Sequence, residues 1–171
     1  MRYFFIFSAL FIAAAATPPA MAQDSFTGFI IGLRDVCAEE PARNCTGQAS
    51  SFLDSDNDRQ VSLPEFEAAR AQAKASVADK ESGLSAIERN LISVALLILN
   101  QAKLPAVFAR FDADDDGGLS EDEIFADFRL DQRPMAKIVA DPNGVDWNSF
   151  AGRFDKLGFL VLDLLPPSHR K

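Results

Sequence analysis

Hydrophobic residues recur at helical spacing along most of this chain, and the pattern predicts an all-α fold. Helices are predicted over residues 24–36, 46–53, 65–80, 84–103, 106–111, 124–128, 135–140 and 147–165. The most apolar run is Leu91–Leu99, which is too short for a bilayer crossing of about 20 residues. We therefore expect this run to lie in the core of a helical domain.

Two acidic loops, Asp54–Glu65 and Asp112–Glu123, interrupt the helical pattern. Each loop has aspartates at its positions 1, 3 and 5, an aliphatic residue at 8, a serine at 9 and a glutamate at 12. The two loops contain 11 of the 25 acidic residues of the chain, four in the first and seven in the second. The acidity is therefore localised, and cation binding explains it better than a generally solvated surface.

The spacing of these side chains suits a calcium site. Calcium takes about six to eight oxygen ligands, and alternate carboxylates on a tight loop can converge on one point. Position 7 offers its backbone carbonyl, and the glutamate at position 12 is long enough to bind through both oxygens. The candidate ligands are Asp54, Asp56, Asp58, Gln60, Ser62 and Glu65 in the first loop and Asp112, Asp114, Asp116, Gly118, Ser120 and Glu123 in the second.

Both loops resemble the calcium-binding loop of the EF-hand superfamily, and the resemblance spans roughly residues 46–130. It implies helix–loop–helix units that hold two Ca²⁺ ions. Asp112–Glu123 matches every diagnostic position, including the glycine at position 6, Gly117. Asp54–Glu65 departs there, because Arg59 places a side chain in a left-handed turn at a cost of about 1–2 kcal/mol. Arg59 also adds a positive charge, so we expect the 112–123 site to be the tighter one.

A third segment, Ile138–Ser149, resembles only the end of such a loop. Its positions 1 and 12 lack carboxylates, so we expect no calcium there. It is either a vestigial hand whose short strand pairs with a true loop, or a Pro-Asn-Gly turn before a helix. Two arrangements are therefore open. The two acidic loops pair through Val61 and Leu119, or the second loop pairs with the 138–149 segment.

The first 22 residues have the features of a secretory signal peptide. Arg2 precedes an apolar run, Tyr3–Ala16, and small residues lead to a cleavage site before Gln23. The alternative is an uncleaved anchor, but the run is shorter than a membrane helix. Residues 23–171 are then predicted to be a single helical domain. Its net charge is −9, because cleavage removes only Arg2 from a chain of net charge −8.

Cys37 and Cys45 are the only cysteines, and both lie after the predicted cleavage site. In an exported protein a close pair is most simply a disulfide. Two free thiols or an intermolecular bridge are the alternatives. The cysteine spacing fits neither a zinc site nor a redox pair.

These features favour a non-enzymatic calcium-binding protein of the periplasm or the cell exterior, with a structural, buffering or interaction role. One alternative is a calcium sensor that exposes an apolar groove to a protein partner. Another is a hydrolase of unrecognised type with structural calcium, although the only histidine, His169, lies in the tail after Pro166 and Pro167. Besides calcium and an unidentified protein partner we expect no nucleic acid, because the acidic chain repels phosphates. We expect no stable membrane insertion after cleavage.

Overall fold

Helices form most of the regular structure in the computed structural model, which describes residues 26–163. This agrees with the predicted all-α class. The predicted signal peptide and the tail with His169 lie outside the described residues. The elements are α1 Phe26–Glu39, α2 Ala42–Leu53, β1 Val61–Ser62, α3 Leu63–Ala78, α4 Ala86–Ala102, α5 Leu104–Phe111, β2 Gly118–Leu119, α6 Glu121–Ile124, α7 Met135–Ala140, α8 Trp147–Gly152, a 3-10 helix Asp155–Leu157 and α9 Gly158–Asp163.

The two short strands join the acidic loops. β1 and β2 pair antiparallel, with Val61 opposite Leu119 and Ser62 opposite Gly118. Val61 and Leu119 are almost completely buried, because both point into the core beneath the loops. Of the two arrangements left open by the sequence, the structure therefore has the one in which the acidic loops pair with each other.

The 138–149 segment takes no part in that pairing. Its Val145 forms an isolated antiparallel bridge with Phe128, and the chain turns just before it, with the Gly144 N–H donating to the Asp141 carbonyl at 2.9 Å. Ile138 is completely buried in the core. The segment is therefore a turn before α8, as the second interpretation of the sequence had it.

The core beneath the strand pair comes from α5 and the two strands, and its buried members are Val61, Val107, Phe108, Phe111 and Leu119. A second cluster lies where α1, α2 and α7 meet and contains Ala42, Cys45, Met135, Ile138 and Val145. A third, smaller cluster joins α4 to the end of the described chain through Ile98, Ala151 and Val161. Apolar packing thus anchors the loops from below, while the loops themselves face solvent.

The predicted burial of Leu91–Leu99 is largely wrong. Ile98 is buried, but the side chains of Leu91 and Leu97 are 58% and 55% exposed. The reason is tertiary, since α4 packs against α3 and α5 and turns its other side outward. None of the described helices is both long and apolar enough to cross a bilayer alone. Only α4 and α5 taken together have the necessary length and composition, and the chain bends by 94° between them.

The segment between the cysteines is more helical than predicted. The sequence predicted helices over 24–36 and 46–53 with no helix between them, but α1 runs to Glu39 and α2 already begins at Ala42. Ala42 and Cys45 face the core, which keeps the chain helical there. Thr46 consequently lies inside α2 and is completely buried.

The helix predicted over 124–128 ends early, because the chain leaves α6 to form the bridge with Val145. The Phe128 ring then packs against Trp147 and Phe150, with ring centroids 6.2 and 5.8 Å away. These aromatic contacts are between residues distant in sequence, so helical periodicity gave no signal for them.

The last predicted helix, 147–165, is divided into α8, the 3-10 helix and α9 within the described residues. Asp155 has a positive φ of 54°, which interrupts the helix. The interruption brings the Phe154 ring to 6.1 Å from the Phe111 ring, and it directs Val161 into the third core cluster.

The predicted disulfide between Cys37 and Cys45 is present and joins α1 to α2. It closes a short loop, for which the chain-entropy account gives a stabilisation of about 2–3 kcal/mol. Cys45 is buried, so the bridge is fixed to the second core cluster.

Glu88 fixes the start of α4 and connects it to α1. Its carboxylate accepts the Ser85 backbone N–H at 2.8 Å, and the Arg34 guanidinium lies 2.6 Å from its other oxygen. The hydrogen bonds from Ser85, followed by that from Arg34, lower the pKa of Glu88 to about 2. The ionised form is therefore favoured in the folded protein.

This shift predicts a pH dependence of stability. A glutamate that titrates near pH 4.3 when unfolded and near 2 when folded stabilises the fold above about pH 4.3, and that contribution disappears as the pH falls towards 2. Glu88→Gln should therefore flatten the fall in unfolding free energy over this range, measured by urea denaturation in the presence of a chelator. Glu67→Gln, at an exposed position of α3, is the matched control. A Glu88→Gln profile parallel to that of the wild type would contradict the prediction.

Candidate metal centres

The two acidic loops have the same backbone conformation. Positions 4 and 6 are left-handed in both, with φ of 61° at Asn57, 75° at Arg59, 58° at Asp115 and 88° at Gly117. Arg59 therefore adopts the left-handed conformation that glycine has at the same position of the second loop. A residue with a Cβ pays for this conformation in strain of about 1–2 kcal/mol.

The aspartate at position 1 closes each loop by accepting backbone N–H groups. In the first loop Asp54 accepts from Asp58 at 3.1 Å and from Arg59 at 2.9 Å. In the second loop the equivalent bonds, both 3.1 Å, join Asp112 to the N–H groups of Asp116 and Gly117. These bonds turn the carboxylates towards the middle of each loop.

Three carboxylates converge in each loop, with one oxygen of each lying within 4.8 Å of the others. The two groups are Asp54, Asp56 and Asp58 in the first loop, and Asp112, Asp114 and Glu123 in the second. The structure therefore brings six of the predicted ligands together in two groups. Both groups consist of hard oxygen donors, which have the chemistry to hold a metal ion.

Glu65 is not in the converging group of the first loop. Its Oε1 accepts the backbone N–H and the hydroxyl of Ser55, at 2.6 and 2.8 Å, and its Oε2 accepts the backbone N–H of Ser62 at 2.8 Å. Burial opposes ionisation, but these hydrogen bonds outweigh it and lower the pKa of Glu65 to about 2. The carboxylate is therefore charged, and it closes the loop end to end.

Asp116 is likewise outside the converging group of the second loop. Its Oδ1 accepts the Gly118 N–H at 2.9 Å, and its Oδ2 accepts the side-chain amide of Gln60 at 2.5 Å. Glu123 belongs to the converging group of the second loop, whereas its counterpart Glu65 lies outside the converging group of the first loop. Burial opposes its ionisation too, yet hydrogen bonds from Ser120, Ala113 and Asp114 lower the pKa of Glu123.

The serines at position 9 act as helix caps in the structure. The Ser62 hydroxyl accepts the Glu65 backbone N–H while the Glu65 carboxylate accepts the Ser62 backbone N–H, and Ser120 and Glu123 form the same capping box. The Ser-x-x-Glu spacing of a capping box was visible in the sequence. The two predicted ligands at position 7, Gln60 and Gly118, lie beside or within the strands.

The carboxylates of the first loop repel one another. A backbone hydrogen bond from Asp58 lowers the pKa of Asp56, but desolvation and the negative charges of Asp58, Glu65 and Asp54 outweigh it and raise that pKa above its usual value. Like charges this close disfavour ionisation. A bound cation would relieve the repulsion, so the residues present fit a metal ion.

A contact that no local sequence pattern indicates fixes the second loop to α2. The buried Thr46 hydroxyl donates a hydrogen bond to the Glu121 carboxylate at 2.6 Å. Thr46 and Glu121 are 75 positions apart, so no local pattern could have revealed the pair. The bond connects the helix before the first loop to the helix after the second.

Comparison with known proteins adds no family to this geometry. No protein-family model, no curated protein and no solved structure matches the chain.

The left-handed turns allow a direct test of the loop backbone. A Cβ at Gly117 would meet no atom within 4 Å, so Gly117→Ala should cost only backbone strain, about 1 kcal/mol of unfolding free energy. Gly32→Ala is the matched control, since Gly32 lies inside α1 with equally open space. That change should stabilise by about 0.5–1 kcal/mol. Urea denaturation in the presence of a chelator measures both, and an unchanged or more stable Gly117→Ala variant would argue against the left-handed turn.

Proposed function

We propose that this protein binds calcium through the loops Asp54–Glu65 and Asp112–Glu123, in the manner of EF-hands. It acts as a non-enzymatic structural or buffering protein, or as a calcium-conditioned interaction protein. The observation that carries this proposal is the duplicated geometry. Two loops with the same backbone, the same closing hydrogen bonds and three converging carboxylates each are held together by one strand pair.

The donor chemistry supports calcium over other ions. Zinc sites use mainly cysteine and histidine, whereas these groups contain only carboxylates with nearby hydroxyl and carbonyl oxygens. Magnesium requires a near-octahedral arrangement and keeps several waters. An oxygen-rich loop with a long carboxylate at its end is better suited to the larger coordination shell of calcium.

The two sites are proposed to differ in affinity. Glu123 lies with Asp112 and Asp114 although it, like Glu65, accepts the backbone N–H at position 2 of its loop. Glu65 also accepts the Ser55 hydroxyl at 2.8 Å, and it lies outside the converging group of the first loop. Arg59 adds a positive charge and a strained turn to the first loop. We therefore assign the tighter site to Asp112–Glu123.

The bond between the two cysteines supports the proposal that the protein is exported to an oxidising compartment. The Cys37–Cys45 disulfide is typical of such compartments, and the predicted signal peptide is consistent with it. Calcium is plentiful outside the cytosol, so dissociation constants of about 10⁻⁴–10⁻³ M suffice there. At calcium about 100-fold above the dissociation constant, one site would add about 2.7 kcal/mol to the stability of the fold.

Calorimetric calcium titration of the mature protein tests the proposal. The wild type should bind two ions, Glu123→Gln should lose the tighter event, and Glu65→Gln should lose the weaker one. Glu67→Gln, just beyond the first loop, is the control and should retain both. No binding at millimolar calcium would overturn the proposed function, and loss of only the weak event in Glu123→Gln would reverse the ranking of the sites.

A second candidate function, a calcium sensor, is favoured by an apolar cavity of about 240 Å³ beneath the second loop. All twelve lining residues are apolar, seven of them phenylalanines, and Leu119 and Ile124 connect the cavity wall to the loop. Opening of this cavity on calcium binding would present a groove to a partner helix. The methionine expected after signal cleavage, Met135, is buried elsewhere in the core, so an adaptable methionine-lined groove is not available.

Dye binding separates the two roles. For a structural or buffering protein, we expect an apolar fluorescent dye to bind equally in calcium and in chelator, because the core beneath the strand pair stays closed. The Glu123→Gln variant is the control for an effect that depends on the second site. An increase in dye fluorescence that requires calcium and disappears in Glu123→Gln would establish the sensor instead.

A further inference from the structure

Gln60 of the first loop reaches across the strand pair into the second loop. We propose that Gln60 sets the affinity of the second site by competing with its cation for Asp116. This inference rests on the proposed function, since it concerns how that function is regulated. The predicted role of Gln60 in the first site uses only its backbone carbonyl, so this inference gives the side chain a separate role.

The contact engages a carboxylate oxygen of Asp116, a predicted ligand of the second site. The Gln60 Nε2 lies 2.5 Å from the Asp116 Oδ2, while the Gly118 N–H occupies Oδ1. Both oxygens of Asp116 therefore accept hydrogen bonds, and Asp116 stands outside the group formed by Asp112, Asp114 and Glu123. A cation that recruits Asp116 through Oδ2 has to displace or weaken the bond to Gln60.

Gly118 makes room for this crossing. A Cβ at residue 118 would overlap the Gln60 Oε1, Cδ and Cβ atoms, so the Gln60 side chain lies directly against the Gly118 backbone. The Gly118 φ lies outside the left-handed region, and the glycine is therefore explained by space and not by conformation.

The proposed influence runs in one direction only, from the first loop to the second site. Gln60 and Gly118 occupy equivalent positions in their loops, and both donate their backbone N–H to the aspartate two residues earlier, Asp58 or Asp116. Glycine has no side chain to reach back to Asp58. The first loop therefore contacts a predicted ligand of the second loop, Asp116, through the Gln60 side chain. The second loop has no side chain at position 118 to make the equivalent contact with Asp58.

Replacement of the amide by an isosteric apolar group tests the competition. Gln60→Met keeps the length of the side chain and the backbone carbonyl but removes the N–H donor. The comparison is between the double variant Glu65→Gln/Gln60→Met and the single variant Glu65→Gln. In both proteins the first site is disabled, so calorimetry measures calcium binding at the second site alone. Gln60→Met should tighten calcium binding by roughly three- to tenfold, the value of one solvent-exposed hydrogen bond. Gln72→Met, on the exposed side of α3, should leave the affinity unchanged.

A second measurement reads the contact itself without relying on affinity. The ¹⁵N side-chain amide signals of Gln60, assigned by their loss in Gln60→Met, should differ from those of exposed glutamines in chelator. Calcium at the second site should move them towards the exposed values.

The outcomes separate this inference from the proposed function. Tighter binding together with moving amide signals supports the competition. Unchanged or weaker binding in Gln60→Met, while the parent still binds calcium, overturns the inference and leaves the proposed function in place. Gln60 signals that stay fixed as the second site fills overturn it as well. No calcium bound by the wild type overturns the proposed function, and the inference with it.

Discussion

The pairing of β1 with β2 is the contact on which the arrangement of the molecule depends. It holds two loops with 11 acidic residues side by side, against the mutual repulsion of their carboxylates. The strands are only two residues long, so their hydrogen bonds alone are a weak connection. Burial of Val61 and Leu119 on α5 supplies the apolar anchor that keeps the charged loops together.

The helices fix the ends of the loops around that anchor. Ser62 and Ser120 start the following helices as caps, and the same hydrogen bonds hold the terminal glutamates beside them. The buried bond from Thr46 to Glu121 connects the entry of the first loop to the exit of the second. Local capping and one long-range bond therefore position side chains that a flexible acidic loop would leave scattered.

The two loops are equivalent in backbone but unequal in chemistry. Arg59 occupies a left-handed turn that Gly117 adopts with little strain. Gln60 sends a polar side chain across the strands, whereas Gly118 provides only space. Both differences concern positions 6 and 7 of the loops. Under the proposed function, these two differences would give the calcium sites unequal affinities and let the first loop influence the second.

Local residue patterns were enough to predict the helical class, the two acidic loops and the cysteine pair, because each depends on residues close together in the chain. The left-handed turn at Arg59 also followed from its place in the loop. Which loops pair, where α6 and α8 end, and which of the predicted ligands converge depend instead on tertiary contacts. Asp116 shows why, since its oxygen is held by Gln60, 56 positions away. Leu91 likewise looked like core, and only the packing of α4 left it exposed.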